Sequence, residues 1–289
     1  MLPVRTLVVT ADDFGRSVEV NEAVEAAYRT GILTAASLMV AAPAAEDAVR
    51  RARRLPGLGV GLHLALVDDV PMLPPEQVPD LLGPDGRLST SLVWAGARMA
   101  LLPAVRRQAE AEIRAQFEAF RGTGLPLDHV NGHHHYHQHP VAFATILELA
   151  DGYRVGAVRV PHEPFLPSWR ARGSGLARRL LAAAASRRRT RAMARRLDQA
   201  GIAHNDAMFG LHESGQMTRD VLLDYLRDLP PGITEIYSHP ATARWEGTNA
   251  PPACYDPAGE FEALIDPDVI AAANHSSIRR VSFSQVAPM

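Results

Sequence analysis

Short apolar runs alternate along the chain with longer amphipathic stretches. The runs occupy residues 6–11, 36–40, 59–64, 127–131, 157–160, 203–209, 234–238 and 278–283. Each has the length and the β-branched or apolar content of a buried strand. Between them, Val20, Val24 and Ala27 recur at helical spacing behind Ser17, a hydroxyl residue suited to an N-cap. Residues 104–121 place Val105, Ile113, Phe117 and Phe120 on one helical face, with charge opposite. Pro140 suits the first turn of another helix with His139 just outside it, and 220–229 and 260–272 also carry helical patterns. Repeated strand–helix alternation predicts an α/β fold in which a mostly parallel sheet is covered by helices. The number of runs predicts an irregular (β/α) barrel of about seven to eight strands, with an open doubly wound sheet as the alternative. In a barrel the chemistry lies at the C-terminal ends of the strands, so the residues just after each run become the candidates.

Two stretches break the rhythm. Residues 67–91 contain Pro71, Pro74, Pro75, Pro79 and Pro84, which predicts a long loop insertion over the strand ends. Residues 165–200 read as an Arg/Ala-rich helical insertion, in which 170–196 hold ten arginines and no acidic residue. These arginines surround Leu176, Leu180, Leu181 and Met193, a composition that suits either a solvated helix or one lying on an anionic membrane. No repeat occurs at a solenoid period, and 289 residues accommodate one catalytic barrel domain over 1–289.

Composition narrows the class. An apolar fraction of 47% supports a substantial core, and a net charge of −2 gives no general case for nucleic-acid binding. The lone Cys254 excludes an intramolecular disulfide and any multi-cysteine zinc site, and fits a reducing compartment. Met1 leads into the first strand without the basic and apolar regions of a signal peptide, and no run approaches the roughly 18 apolar residues of a membrane span. The expectation is a cytoplasmic protein, peripheral at the inner face of the membrane if the arginine-rich segment binds lipid.

The chemistry concentrates in DHVNGHHHYHQHP, residues 128–140, which holds six of the twelve histidines. Crowded imidazoles repel as cations, and a divalent metal favours their neutral, electron-donating form. Alternation along the fourth strand puts His129, Asn131 and His133 on one side, followed by His135 and His137 if the chain stays extended. A helical turn instead pairs His133 with His137, and either geometry disfavours His134 as a ligand. Asp12 and Asp13 follow the first strand, where adjacent carboxylates call for a cation or a shared proton unless they merely cap the turn before Gly15. His63 ends the third strand, and His239 ends the seventh, just before Pro240. One carboxylate with two imidazoles leaves open positions on a metal, the pattern of a catalytic site. That ligand mix favours one Zn²⁺, with Mg²⁺, Mn²⁺, Fe²⁺ or Co²⁺ as alternatives. Arg159, at the end of the fifth strand, suits contact with a sugar hydroxyl, ordering of Asp12, or an ion pair with Glu163.

TADDFG (10–15), GLHL (61–64) and HVNGHHHYH (129–137) resemble the signature blocks of the YdjC-like carbohydrate deacetylases, and SHP (238–240) resembles a weaker fourth. Residues 18–21, 36–42, 55–64 and 126–131 further resemble the hopanoid-biosynthesis branch called HpnK. The resemblance implies a deacetylase-type barrel with Asp13, His63 and His133 as metal ligands and Asp12 as general base. It also implies a substrate bearing N-acetylglucosamine, in the hopanoid branch N-acetylglucosaminyl bacteriohopanetetrol, with soluble chitooligosaccharides as the alternative. Asn131 stands where chitooligosaccharide deacetylases usually have Asp, and His134 where the hopanoid branch is expected to have Lys. His239 is the first candidate to protonate the leaving amine and His137 the second. His135, His137, Asn131 and Arg159 are expected to support the metal or contact the sugar. Two competing classes remain. An amidohydrolase barrel would carry His-x-His after its first strand, where this chain has Asp-Asp. A non-enzymatic metal-binding protein would use the histidine loop alone.

Overall fold

A computed structural model describes residues 5–247 and 249–286. Its centre is β1 (Arg5–Phe14), whose last nine positions are all buried. That continuous burial is expected of a strand covered on both faces. Around it lie β2 (Ala35–Leu38), β3 (Gly59–Leu64), β4 (Val130–Gly132), β5 (Ala207–Phe209), β6 (Gly232–Ser238) and β7 (Ile278–Arg280). All pairings are parallel, in the order β4-β3-β2-β1-β6-β5, and β7 also pairs β1. The sheet curls into a half-barrel. Single parallel bridges from Val130 to Val158 and from Ala157 to Ala203 carry its open side round towards β5. The expected α/β barrel-type architecture is therefore present.

The strand candidates fare differently at the periphery. Residues 157–160 make bridges but no strand. Pro161 ends the run, and the Asn205 side chain takes the place of a neighbouring backbone, accepting from Val160 N at 2.8 Å and donating to Val160 O at 2.7 Å. β7 is confined to three residues because it shares an edge of β1 with β2. It occupies the level of Arg5–Leu7, while β2 takes the level of Thr10–Phe14.

The helices follow their sequence signals closely. Ser17 accepts from Val20 N and opens the helix Val18–Thr30. The helix Pro103–Gly122 buries Val105, Ile113, Phe117 and Phe120 as the pattern predicts. His139 caps Pro140–Tyr153 by accepting from Val141 N. The stretch 260–272 is two helices, Pro257–Leu264 and Pro267–Ala273, rather than one. Pro267 has no N–H to continue the first, and Asp266 starts the second by accepting from the amides of Asp268 and Val269.

The proline-rich stretch reaches the strand-end cavity at its start, where Asp68 lines it, and then runs down the barrel's flank. It folds as two 3-10 turns, Pro75–Gln77 and Pro79–Leu81, the second of them against the helix Pro103–Gly122, where Gln108 accepts from Asp80 N. The buried carboxylate of Glu112 on that helix accepts from Met72 N and Leu73 N, which pins the loop's start to the barrel's flank. The arginine-rich stretch forms helices Phe165–Arg172 and Leu176–Ala200. Met193 and Leu197 seat the second helix on the protein, whereas Leu176, Leu180 and Leu181 are exposed.

Candidate active site

The pocket at the strand ends is built first by an irregularity in β1. In regular alternation Asp12 and Asp13 would face opposite sides of the sheet. Instead, the pairing with β2 slips between Ala11 and Phe14, and Asp13 adopts a left-handed backbone at φ 63°. Such a bulge re-aims side chains at a strand end. Both carboxylates consequently line one cavity of about 270 Å³, together with Arg16, His63, His133, His135, Tyr237 and His239. Gly15, at φ 98°, turns the chain out of β1 in a conformation that a side chain would strain.

Asp13 Oδ1 is the focus. His63 Nε2 lies 3.3 Å from it and His133 Nδ1 3.2 Å, yet this buried oxygen has no hydrogen-bond partner. A buried carboxylate oxygen without a donor is costly, and two imidazole nitrogens approaching it off the hydrogen-bond line describe a shared cation site. One ligand atom from each of Asp13, His63 and His133 falls within 4.8 Å of the others. The charges agree. Burial raises the cost of ionising Asp13, but Arg16 and His133 outweigh it and hold the carboxyl well below its usual range. Burial likewise opposes a charged His63, but Asp12 and Asp13 push its pKa up. Among the described residues, the permanently charged partners of Asp12, Asp13 and Glu235 are the guanidinium groups of Arg16 and Arg159, so with neutral imidazoles three carboxylates face two cations. The residues fit a divalent metal.

Asp12 is held by a separate set of groups. Arg159, fully buried, donates to its two oxygens at 2.6 and 2.9 Å, and Asn131 Nδ2 donates at 3.1 Å. The other side of the same guanidinium forks onto Glu235 at 2.9 and 2.7 Å. Burial works against the Asp12 charge, but Arg159 and then His63 outweigh it, so the carboxyl stays ionised far below its usual range.

The structure sorts the other sequence candidates. Arg159 orders Asp12; it does not pair with Glu163, which bonds Ser168, Arg179 and Leu211 N instead. His137 is fully buried against Arg159 O and does not line the cavity, so it is not placed to reach a leaving amine or a sugar. Burial and the nearby Arg159 push its pKa down to about 3. Asn131 also lies behind the cavity wall, on His63 Nδ1 at 2.7 Å. His135 does line the cavity, beside Tyr237 Oη at 3.2 Å. His239 lines it with a buried, unpartnered Nδ1, and burial lowers its pKa.

Neither expected course of the histidine loop is followed. The chain turns into a 3-10 helix, His133–Gln138, with His134 and His135 left-handed at φ 49° and 54°. This sends His134 outward to Asp68, at 3.1 Å. Sequence reasoning missed Glu235 and Tyr237, although alternation along β6 places both on the side of His239. It also missed Arg16, Trp245 and Tyr255, which reach the cavity from loops and leave no periodic signal.

Residues 6–275 match the family described as YdjC-like protein. A carbohydrate deacetylase of Brevibacillus brevis is 41% identical over 155 residues, covering 54% of this chain and 59% of that relative. The chain thus matches little more than half the length of that curated relative. A carbohydrate deacetylase of Thermoanaerobacter pseudethanolicus is 26% identical over 280 residues, 96% of this chain and 98% of the relative. A solved structure from Enterococcus faecalis V583, provisionally named a cellobiose-phosphate cleavage protein, superposes with a TM-score of 0.74. It covers 99% of this chain and all of that one at 22% identity, a likeness of fold. The family match along nearly the whole chain, with the site at its strand ends, shows that the chain belongs to the YdjC-like family.

Proposed function

We propose that the protein is a metal-dependent N-deacetylase that hydrolyses the acetamide of an N-acetylglucosamine-bearing substrate to acetate and a free amine. The single observation that carries this is the unpartnered, buried Asp13 Oδ1 between His63 and His133, beside an ionised Asp12 in the same cavity. The names of the Brevibacillus and Thermoanaerobacter relatives support the reaction class. Asp13, His63 and His133 would hold one divalent ion, with Zn²⁺ favoured over Mg²⁺ because two of the three ligands are imidazoles. Such an ion polarises a carbonyl and acidifies water. Asp12, kept ionised chiefly by Arg159 and oriented by Asn131, accepts the proton of the attacking water. The proton that Asp12 takes up is the one the departing amine needs, and His239, with a free nitrogen in the same cavity, would relay it.

The finer substrate is N-acetylglucosaminyl bacteriohopanetetrol, presented at an anionic membrane. Exposed Leu176, Leu180 and Leu181 share a helix with Arg178, Arg187 and Arg188, and Val93 and Trp94 are exposed beside the cavity residue Leu92. Apolar side chains among cations suit an anionic interface. Arg179 is excluded from that surface, since it is buried against Glu163 and Glu213. No helix among the described residues is long and apolar enough to cross a membrane.

The test offers the glycolipid and N,N′-diacetylchitobiose separately, with and without chelator, and follows acetate release by mass spectrometry. Chelator-sensitive release from the glycolipid supports the finer substrate. Release from the soluble sugar alone replaces it with a chitooligosaccharide, and release from neither overturns the deacetylase. Flotation with anionic liposomes checks the membrane contact, and binding insensitive to salt or lipid charge refutes it.

A further inference from the structure

Behind the metal ligands runs a chain of buried polar groups that starts at the proposed base and leads away from the reaction. It begins at Asp12 and passes through Asn131, Ser37 and His129 to Asp128, at the opposite end of the barrel. We infer that Ser37, His129 and Asp128 are positioning residues. They lock the Asn131 amide in one orientation and through it hold His63 with its proton on Nδ1, leaving Nε2 to ligate. The inference rests on the metal site proposed above.

The direction follows from which groups can donate. Both Asp12 oxygens accept from the Arg159 fork, so the Asn131 atom 3.1 Å from Asp12 must be the amide nitrogen. The second hydrogen of that nitrogen goes to Ser37 Oγ at 2.8 Å. With its oxygen occupied as acceptor, Ser37 donates its own hydrogen to His129 Nε2 at 3.0 Å. A neutral His129 then carries its proton on Nδ1 and donates it to Asp128 Oδ2 at 2.9 Å. Asp128 is fixed in turn by the backbone amides of Phe283 and Ser284, at 3.3 and 2.8 Å. Every donor meets an acceptor. The Asn131 carbonyl is left facing His63 Nδ1 at 2.7 Å, which requires a proton on that nitrogen.

Reversing the amide breaks the chain at both ends. The carbonyl would oppose Asp12, and a neutral His129 would have to donate through Nε2 and turn a bare Nδ1 towards Asp128. The two carboxylates therefore enforce the same orientation from opposite ends. The imidazole between them has no room to turn. A Cβ added at Gly61 would lie 2.5 Å from the His129 ring, and Phe283 packs at 4.9 Å between centroids. Hydrogen bonds to the far nitrogen of a ligating histidine set its tautomer and basicity, and their loss typically weakens metal binding about 10–100-fold.

Two measurements test this without using turnover. The first is the tautomer of His129 in the intact protein, read by long-range ¹H–¹⁵N correlation on ¹⁵N-histidine-labelled protein near neutral pH. A neutral His129 protonated on Nδ1 is expected; a proton on Nε2, or on both nitrogens, overturns the direction of the chain. The second is the zinc dissociation constant of Ser37→Ala, by competition with a chromophoric chelator. About 10–100-fold weakening is expected, whereas a merely structural Ser37 would lower the melting temperature and leave zinc affinity unchanged, overturning the inference. If Ser37→Ala does not fold, the His129 tautomer alone decides. If the unaltered protein binds no zinc while His129 is protonated on Nδ1, the metal site falls and the direction of the chain stands.

Discussion

At the scale of residues, Asp12 and Asp13 are neighbours with different environments, and their environments divide the work. Asp13 turns an unpartnered oxygen to two imidazoles, whereas Asp12 is locked by Arg159 and Asn131. Asp13→Ala is expected to lose bound metal and turnover together. Asp12→Asn should keep the metal and lower kcat by about 10²–10⁴-fold, the usual contribution of a general base. Metal content and kcat measured side by side check this, and near-normal turnover in Asp12→Asn would sink its role as base. Arg159 supplies the complementary test. It is fully buried between Asp12 and Glu235, so Arg159→Met would strand two carboxylates and destabilise the fold by about 3–5 kcal/mol. The same change removes the charge that keeps Asp12 ionised. The acid limb of the pH–rate profile should therefore move to higher pH, and a profile left in place would show that Arg159 does not tune Asp12.

At the scale of elements, two glutamates tie loops of the site to the scaffold and make stability depend on pH. Glu260, on Pro257–Leu264, accepts from the backbone N–H groups of Met217 and His239, and Glu163 holds Leu211 N. Burial pushes both up to about 7, with Glu213 adding to the effect at Glu163. Between the ordinary value of 4.5 and about 7, the unfolded chain has released these protons while the folded protein retains them. Their contribution to stability consequently falls as pH rises through that window and levels off above it. Urea unfolding at several pH values should show that Glu260→Gln flattens the slope, and an unchanged slope would refute the assignment. Elements also show where local signals end. The helices starting at Val18 and Pro140 were legible because Ser17 and His139 act within one turn of their own chain. The conformation of 157–160 was not, because the Asn205 amide that occupies its edge lies 45 residues away in sequence.

At the scale of the whole molecule, the parallel sheet brings β1, β3 and β4 together through β2, so that Asp13, His63 and His133, distant in sequence, meet at one edge. An ion that binds only the assembled site stabilises the fold through mass action, by about 2.7 kcal/mol when free metal is 100 times its dissociation constant. Chelation is expected to lower the melting temperature, and dialysed protein should retain about one tight ion per chain. Several weakly held ions, or a melting temperature indifferent to chelator, would favour adventitious binding by the histidine loop.

The sequence by itself determined the parallel α/β architecture, because apolar runs and helical faces are repeated local patterns that need one another to be buried. It also marked Asp12, Asp13, His63, His133 and His239, because each stands at the end of a recognisable strand. Only the tertiary structure decided which of them converge. The slipped pairing and left-handed backbone at Asp13 bring two adjacent carboxylates into one cavity, against the alternation that the sequence implies. The left-handed pair His134 and His135 likewise breaks the histidine loop's period, sending one imidazole to solvent and the next to Tyr237. Glu235 and Arg159 became meaningful only as a buried pair, since an ion pair between residues 76 apart in sequence has no local signature. Periodicity reports which face a residue takes; it cannot report which distant charge waits on the other side.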